Sequence, residues 1–290
     1  METNPRKSST RYSQNRLRRR LLRRLLARSS ITEGDLVYDI GAGDGVISEE
    51  LSRRRARVVA IEKDGKLFAK LKRKLGTNPL VMTRHGDFRA EILPSQTTYK
   101  VFANIPFILT ADIVRKLLFS QNPPDDCYLV VQKQAAEKYT GTPRETLFSL
   151  LLKPWFEFSV LHEFRKTDFF PIPAVDVVLL RIERRERSLV VPEQAFLYRD
   201  YIVYGFRQGK PTARSTFKGV LTHTQFRRLS RELGFPLQAT PTELTFRQWL
   251  GLFRYFTGGV GKDRKKPIYG AQKRLQEEQS HRKKIHRTNR

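Results

Sequence analysis

Cysteine is almost absent from this 290-residue chain. The single thiol, Cys127, excludes an intramolecular disulfide framework and a cysteine-based zinc cluster, and it reads as a buried bystander rather than a reactive group. Long apolar runs are missing as well. No window approaches the roughly 18 residues of a membrane span, so a soluble, cytoplasmic chain is expected. The Arg-rich N-terminus lacks the apolar core of a secretory signal, although the basic amphipathic stretch Arg16 to Arg28 leaves a transit peptide open on composition alone. Acidic residues are the third shortage: 29 Asp and Glu stand against 56 Lys and Arg, a formal net charge of +27. Such a chain takes a polyanion as its default large partner, either nucleic acid or an anionic membrane surface.

What is present suffices for a packed core. Hydrophobic residues make up 39% and aromatics 11%, and the length accommodates one α/β domain with a smaller second domain. In Arg16 to Leu26, leucines return at helical spacing among arginines, which predicts a basic amphipathic helix able to dock through its leucines, to contact RNA, or both. Short apolar runs then alternate with helical stretches. Strands are expected at Leu36–Ile40, Arg57–Ile61, Leu80–His85, Tyr99–Ala103, Cys127–Gln132 and Val175–Glu183, with helices at Val46–Arg54, Gly65–Leu75 and Ala111–Leu118 between them. That alternation predicts an α/β fold with a doubly wound, mostly parallel sheet and a ligand beyond the carboxyl ends of its strands. From about Pro192 the pattern turns helical, at 194–207, 224–233 and 242–256. The expected organisation is a flexible 1–10, an α/β domain over 11–190, a helical domain over 191–258 and a basic, mobile tail over 259–290, with a possible helix at 271–279.

The chemistry begins at Asp39-Ile40-Gly41-Ala42-Gly43-Asp44-Gly45, between a strand and a helix. Glycines there let the backbone turn tightly and approach a ligand, and the helix offers its N-terminal amides. Gly41 and Gly43 are therefore candidate cofactor contacts, although dinucleotide oxidoreductases share this signature. Glu62 ends the second strand, where a carboxylate can accept the ribose hydroxyls of an adenosine-containing cofactor. Asp87 ends the third and can accept an adenine amine, with Phe88 packing on the base. Asn104-Ile105-Pro106-Phe107 closes the fourth strand beside the cofactor position and discriminates best. An exocyclic amine conjugated to its purine is a poor nucleophile. Two carbonyl acceptors, Asn104 Oδ1 and the Ile105 backbone oxygen, can draw its hydrogens out of plane; Pro106 stiffens the turn and Phe107 can stack on an extruded base.

At these residues the chain resembles the ribosomal RNA adenine N6-methyltransferases, which comprise the Erm resistance methylases and the small-subunit rRNA dimethyladenosine transferases. Asn104-Ile105-Pro106-Phe107 looks like the family's catalytic Asn-Ile/Leu-Pro-Tyr/Phe, and Asn-Ile-Pro is more typical of the Erm branch. Ser13-Gln14-Asn15 matches the start of its N-terminal cofactor motif. Phe169-Phe170-Pro171-Ile172-Pro173-Ala174-Val175-Asp176 matches its Phe-x-Pro-x-Pro-x-Val-Asp/Asn segment. The resemblance spans roughly residues 11 to 256. Arg16 departs from the family's usual Phe, and Ile108-Leu109-Thr110 is looser than the usual continuation.

By that resemblance Gln14, Gly41, Glu62, Asp87 and Asn104 would contact S-adenosylmethionine, while Phe107 and Phe169 would sandwich a flipped adenine. The N-terminal match argues against a cleaved transit peptide, because cleavage would remove part of the site. The Erm-like reading implies a monomer that methylates one adenine in the peptidyl-transferase loop of protein-free or precursor 23S rRNA and confers macrolide, lincosamide and streptogramin B resistance. Small-subunit rRNA dimethylation is the neighbouring alternative. A non-enzymatic nucleic-acid-binding factor on the same fold is an alternative of another class, against which intact Glu62, Asn104 and Phe107 argue; a nicotinamide oxidoreductase is the outside option. No metal site and no membrane partner are expected.

Overall fold

The computed structural model describes residues 16–207 and 209–278. A short strand β1 (Arg16–Leu17) precedes helix α1 (Arg19–Ala27), after which strands and helices alternate: β2 (Leu36–Ile40), α2 (Val46–Arg53), β3 (Arg57–Glu62), α3 (Gly65–Leu75), β4 (Val81–His85), β5 (Lys100–Asn104), α4 (Thr110–Leu118) and β6 (Asp126–Gln132). Then come α5 (Lys133–Thr140), α6 (Leu147–Leu152), β7 (Phe156–Glu163), β8 (Phe169–Phe170) and β9 (Val177–Arg184), followed by α7 (Ala195–Arg207), α8 (Ala213–Thr216), α9 (His223–Leu233), α10 (Phe246–Gly259) and α11 (Lys262–Lys265).

Seven strands form one sheet in the order β4-β3-β2-β5-β6-β9-β7. β2 pairs in parallel with β3 and β5, β3 with β4, and β5 with β6, whereas β9 runs antiparallel to β6. Central parallel strands are covered on both faces, so they read as continuous apolar runs; Val58 to Ile61 and Cys127 to Val131 are all buried. From β2 the chain winds outward to β3 and β4, then returns to place β5 on the other side of β2. That reversal opens a crevice at the carboxyl ends of β2 and β5, where open α/β sheets bind ligands.

The N-terminal helix starts later than the leucine spacing suggests. Arg16 and Leu17 pair antiparallel with Phe170 and Phe169, and Arg18 is extended at φ −65° and ψ 129°, so helical geometry begins only at Arg19. Leu22, Leu25 and Leu26 are buried. On the polar side Arg19 donates to Glu49 at 2.7 Å and Arg23 to Glu50 at 2.9 Å, with Arg53 and Lys74 pairing to the same acids. The Glu49 carboxyl is held down to about 2, foremost by the Arg19 hydrogen bond. Docking therefore engages two of the helix's arginines, while Arg20, Arg24 and Arg28 stay exposed with no ion-pair partner among the described residues.

The chain divides into two compact units. One holds residues up to Ala136 and Ser159–Arg184; the other holds Glu137–Phe158 and the residues from Arg185 onward. The helical unit thus includes 137–158, so a single division near residue 190 is too simple. Its core is aromatic: the Tyr201 ring lies 5.0 to 6.1 Å from those of Phe217, Trp249, Phe253 and Phe256. Capping boxes open α6, α8, α9 and α10 at Thr146, Thr212, Thr222 and Thr245, satisfying amides a helix start leaves unpaired.

The segment after Gly259, expected to be mobile, is packed as far as it is described. Ile268 is fully buried, and the Asp200 carboxylate accepts from the Gly270 and Gln272 amides at 2.7 and 2.8 Å, which anchors the helical residues 271–278. Three buried apolar side chains, Val260, Ile268 and Ala271, and one capping acid outweigh the surrounding charge. The expectations for 1–10 and for the end of the tail lie outside the described residues. Cys127 is buried, and burial pushes its thiol well above the usual range, as an inert core thiol requires. Among the described residues no helix is long and apolar enough to cross a membrane, and no group of His, Cys, Asp or Glu side chains could hold a metal ion.

Candidate active site

The glycine loop leaves β2 and turns into α2. Gly41, Gly43 and Gly45 all have positive φ, at 71°, 60° and 83°, a region that costs other residues strain. At Gly45 space adds to backbone: a Cβ there would lie 2.7 Å from Leu71 Cδ1. At Gly41 a Cβ would lie 3.4 Å from Pro106 Cδ. The loop after β2 and the turn after β5 therefore lie side by side, and both line one cavity.

Glu62, at the end of β3, is 4% exposed. Its carboxylate accepts from the Gly43 amide at 2.8 Å and the Asp64 amide at 2.7 Å. The acid thus braces the glycine loop from the end of the neighbouring strand. Asp87 is more committed. Arg89 grips it through backbone and guanidinium, Lys63 reaches it at 3.0 Å, and these contacts, Arg89's foremost, hold its carboxyl well below the usual range.

A cavity of about 490 Å³ lies beyond these strand ends. Of the residues expected from the sequence, Gly41, Glu62, Asp87, Phe88 and Pro106 line it. Lys63, Arg89, Leu109 and Ile113 line it too and were not anticipated, since cations and aliphatics near a strand end have no distinctive spacing. Gly43 takes part through its bond to Glu62. Asn104 ends β5, half-buried, and Ile105 is buried, next to the lining Pro106. Pro106 opens a 3-10 turn over Phe107–Leu109, which the Thr110 hydroxyl closes by donating to the Phe107 carbonyl at 2.9 Å. Gln14 lies outside the described residues.

Phe107 and Phe169 belong to the same apolar cluster, Phe107 packing against it from its rim. Phe169 is only 2% exposed and meets Phe164 edge-on with ring centroids 5.0 Å apart. Its ring is covered in this structure, whereas neighbouring Phe170 is 79% exposed.

Asp39 opens the glycine motif at the end of β2. It is fully buried; its Oδ2 accepts from the Ser48 hydroxyl at 2.6 Å, and its Oδ1 has no partner among the described residues. Burial pushes its carboxyl up to about 7, with nearby Glu62 adding to the rise and Ser48 opposing it. A raised folded-state value means the native protein holds the proton more tightly than the unfolded chain. This contribution to stability is then complete below the ordinary value of 3.8 and is lost as pH rises through about 7. The full effect is on the order of 4 kcal/mol. Asp39→Asn should therefore gain thermal midpoint relative to wild type between pH 5 and pH 8.5, and parallel pH profiles for the two proteins would refute this.

Residues 6–257 match the ribosomal RNA adenine dimethylase family. The chain belongs to that family. It is 27% identical over 242 residues to an rRNA adenine N-6-methyltransferase of Bacillus licheniformis, covering 82% of this chain and 83% of the relative. It is 29% identical over 199 residues to a ribosomal RNA small subunit methyltransferase A of Clostridium perfringens, covering 66% and 70%. Its fold matches the crystal structure of the 23S rRNA methyltransferase ErmE with a TM-score of 0.77 at 23% identity, over 83% of this chain and 99% of that one. The protein is an S-adenosylmethionine-dependent rRNA adenine methyltransferase.

The residues at hand suit that donor. A buried carboxylate at a strand end, a loop beside it in which three glycines have positive φ, and a cavity with apolar walls offer a ribose, a backbone approach and a base their complementary partners.

Proposed function

We propose that this member of the family methylates N6 of an adenine in the peptidyl-transferase loop of 23S rRNA and so confers macrolide, lincosamide and streptogramin B resistance, acting in the cytoplasm as a monomer on protein-free or precursor rRNA. The observation that carries the chemistry of this reading is the close approach of the Gly41 loop to the Asn104–Pro106 turn at the reversal of strand order; the choice of 23S rRNA follows from Asn104-Ile105-Pro106, the form of the motif more typical of the Erm branch. The close approach supports an acceptor group for an amine immediately beside the donor's cavity.

In this reading Gly41, Gly43, Glu62, Asp87 and Phe88 hold the donor, together with Gln14. When bound, S-adenosylmethionine supplies a methyl group already activated on a sulfonium. The protein's share is then positioning and electrostatics. Asn104 Oδ1 and the Ile105 carbonyl accept the two amine hydrogens and so free the nitrogen lone pair; Pro106 holds the turn, and Phe107 stacks on the extruded base. A base can stack on Phe169 as well only after that ring is uncovered. The helical unit and the unpaired face of α1 contribute affinity for phosphates, which is strong but carries no sequence information.

The relative from Clostridium perfringens bears a small-subunit name, and dimethylation of small-subunit rRNA is the second reading. Transfer of labelled methyl to protein-free large- and small-subunit rRNA, with the modified nucleotide mapped by primer extension, separates the two. Label confined to the 23S loop supports the proposal; label on adjacent small-subunit adenines refutes it. A companion measurement concerns α1. The triple variant Arg20→Gln, Arg24→Gln, Arg28→Gln should reduce the slope of log affinity against log salt by about two to three, and an unchanged slope would remove α1 from the RNA interface.

A further inference from the structure

The helical unit contains a second cavity, of about 690 Å³, formed where the α6–β7 connection, the 185–189 loop and α10 come together. Four cations line it: Lys153, Arg185, Arg247 and Arg254. They fall into two kinds. Lys153 pairs with Glu145, itself held by the Ser149 hydroxyl at 2.6 Å and the Phe246 amide at 3.1 Å. Arg185 donates to the Lys153 carbonyl at 2.9 Å and pairs with Glu157, the one acidic residue on the lining. These two are spoken for and build the wall.

Arg247 and Arg254 are different. They lie seven residues, two turns, apart on α10, so they share a face, and Leu250 lines the cavity between them. Both are exposed, and neither has an ion-pair partner among the described residues. Aromatic rings share the lining. Phe246 lies 5.9 Å from Lys153 Nζ, and Phe158 stacks nearly parallel on Tyr139, 13° between planes and 6.3 Å between centroids. Guanidinium groups without an ion-pair partner and partly buried rings on one lining match a phosphodiester and the base attached to it.

Resting on the reading of RNA as substrate, we propose that this cavity is a second RNA-binding site, which takes one unpaired nucleotide of the rRNA away from the methylated adenine. Its phosphates are held by Arg247 and Arg254, and its base lies against Phe246 and Phe158. The site would give the helical unit a grip on single-stranded RNA, and a net charge of +27 brings RNA to it.

The test is direct binding of the full-length protein to protein-free rRNA fragments over a range of salt, with methyl transfer measured separately. Arg247→Gln/Arg254→Gln should weaken binding at least ten-fold and reduce the salt slope by about 1.4, the value for two single-strand phosphate contacts. The control Arg227→Gln/Arg231→Gln removes the same charge from the exposed side of α9 and should change affinity less than three-fold. Oligouridylate should compete for the cavity about ten-fold better than an abasic ribose-phosphate chain of equal length. An equal loss in the two double variants, equal competition by the abasic chain, or displacement of the RNA by oligoglutamate as readily as by oligouridylate each overturns the proposal. Because binding is read without catalysis, absence of methyl transfer to any rRNA would refute the functional reading and leave the cavity's RNA affinity separately decided.

Discussion

Replacing Asn104 with alanine is expected to slow methyl transfer by about 10²- to 10³-fold, the usual cost of removing one positioned polar group from a reacting centre. The reason is geometric. Asn104 ends β5 at the reversal of strand order, one residue pair from the turn that lies beside the Gly41 loop. Alanine leaves the strand and Pro106 in place but removes the acceptor. Asn104→Gln should fail almost as badly, because an extra methylene displaces the same amide by more than the roughly 1 Å that positioning tolerates. Single-turnover transfer of labelled methyl measures both variants, and thermal melting checks that the half-buried strand end survives them. Transfer within three-fold of wild type in Asn104→Ala would end the catalytic assignment of Asn104, whereas a variant that lost transfer but kept the full biological effect would favour a non-enzymatic role on this fold.

Glu62→Ala should strike binding and stability together. The carboxylate accepts from two backbone amides, at 2.8 and 2.7 Å, in a place 4% exposed. A buried donor left unpaired costs about 1–3 kcal/mol; with the Gly43 amide buried and the Asp64 amide part-buried, the variant should lose roughly 1–4 kcal/mol of folding stability. Hydrogen bonds from ribose hydroxyls to a charged acceptor are worth about 1.5–3 kcal/mol each, so affinity for the donor should fall at least 10²-fold. Glu62→Gln is not a mild control, since its amide nitrogen must face one of two N–H donors. Calorimetric titration with S-adenosylmethionine and a denaturant midpoint read the two effects independently. An unchanged dissociation constant in Glu62→Ala would mean that the acid only braces the Gly43 loop.

The alternation of strands and helices was legible because buried parallel strands are unbroken apolar runs and the intervening helices carry clear stripes. β2 and α3 fall at the expected residues, and most other boundaries shift by one or two. β7 (Phe156–Glu163) was not foreseen. It is the last strand in the sheet order and only Phe156 along it is buried, so it lacks the continuous apolar run that a strand covered on both faces leaves. The tail was misread for a related reason. Its charge dominates composition, while its anchoring rests on Val260, Ile268 and Ala271 and on a carboxylate supplied by Asp200, 70 residues earlier.

At the site, residue types with few structural alternatives were readable: glycines before a helix, an acid at a strand end, and Asn-Ile-Pro-Phe. Lys63 and Arg89 around Asp87 were not, and neither was the burial of Phe169, because a motif names a ring without saying what lies over it.

Local order along the chain alone determined the winding of the sheet and which strand ends carry polar groups, since both follow from short-range periodicity and turn chemistry. Only the tertiary structure decided which charges are already spent. Arg19 and Arg23 are committed to Glu49 and Glu50, and Arg185 to Glu157, while Arg20, Arg24, Arg28, Arg247 and Arg254 have no ion-pair partner among the described residues. An ion pair is a property of distance in space, and residues 27 to 30 positions apart in a sequence give no sign that they will meet.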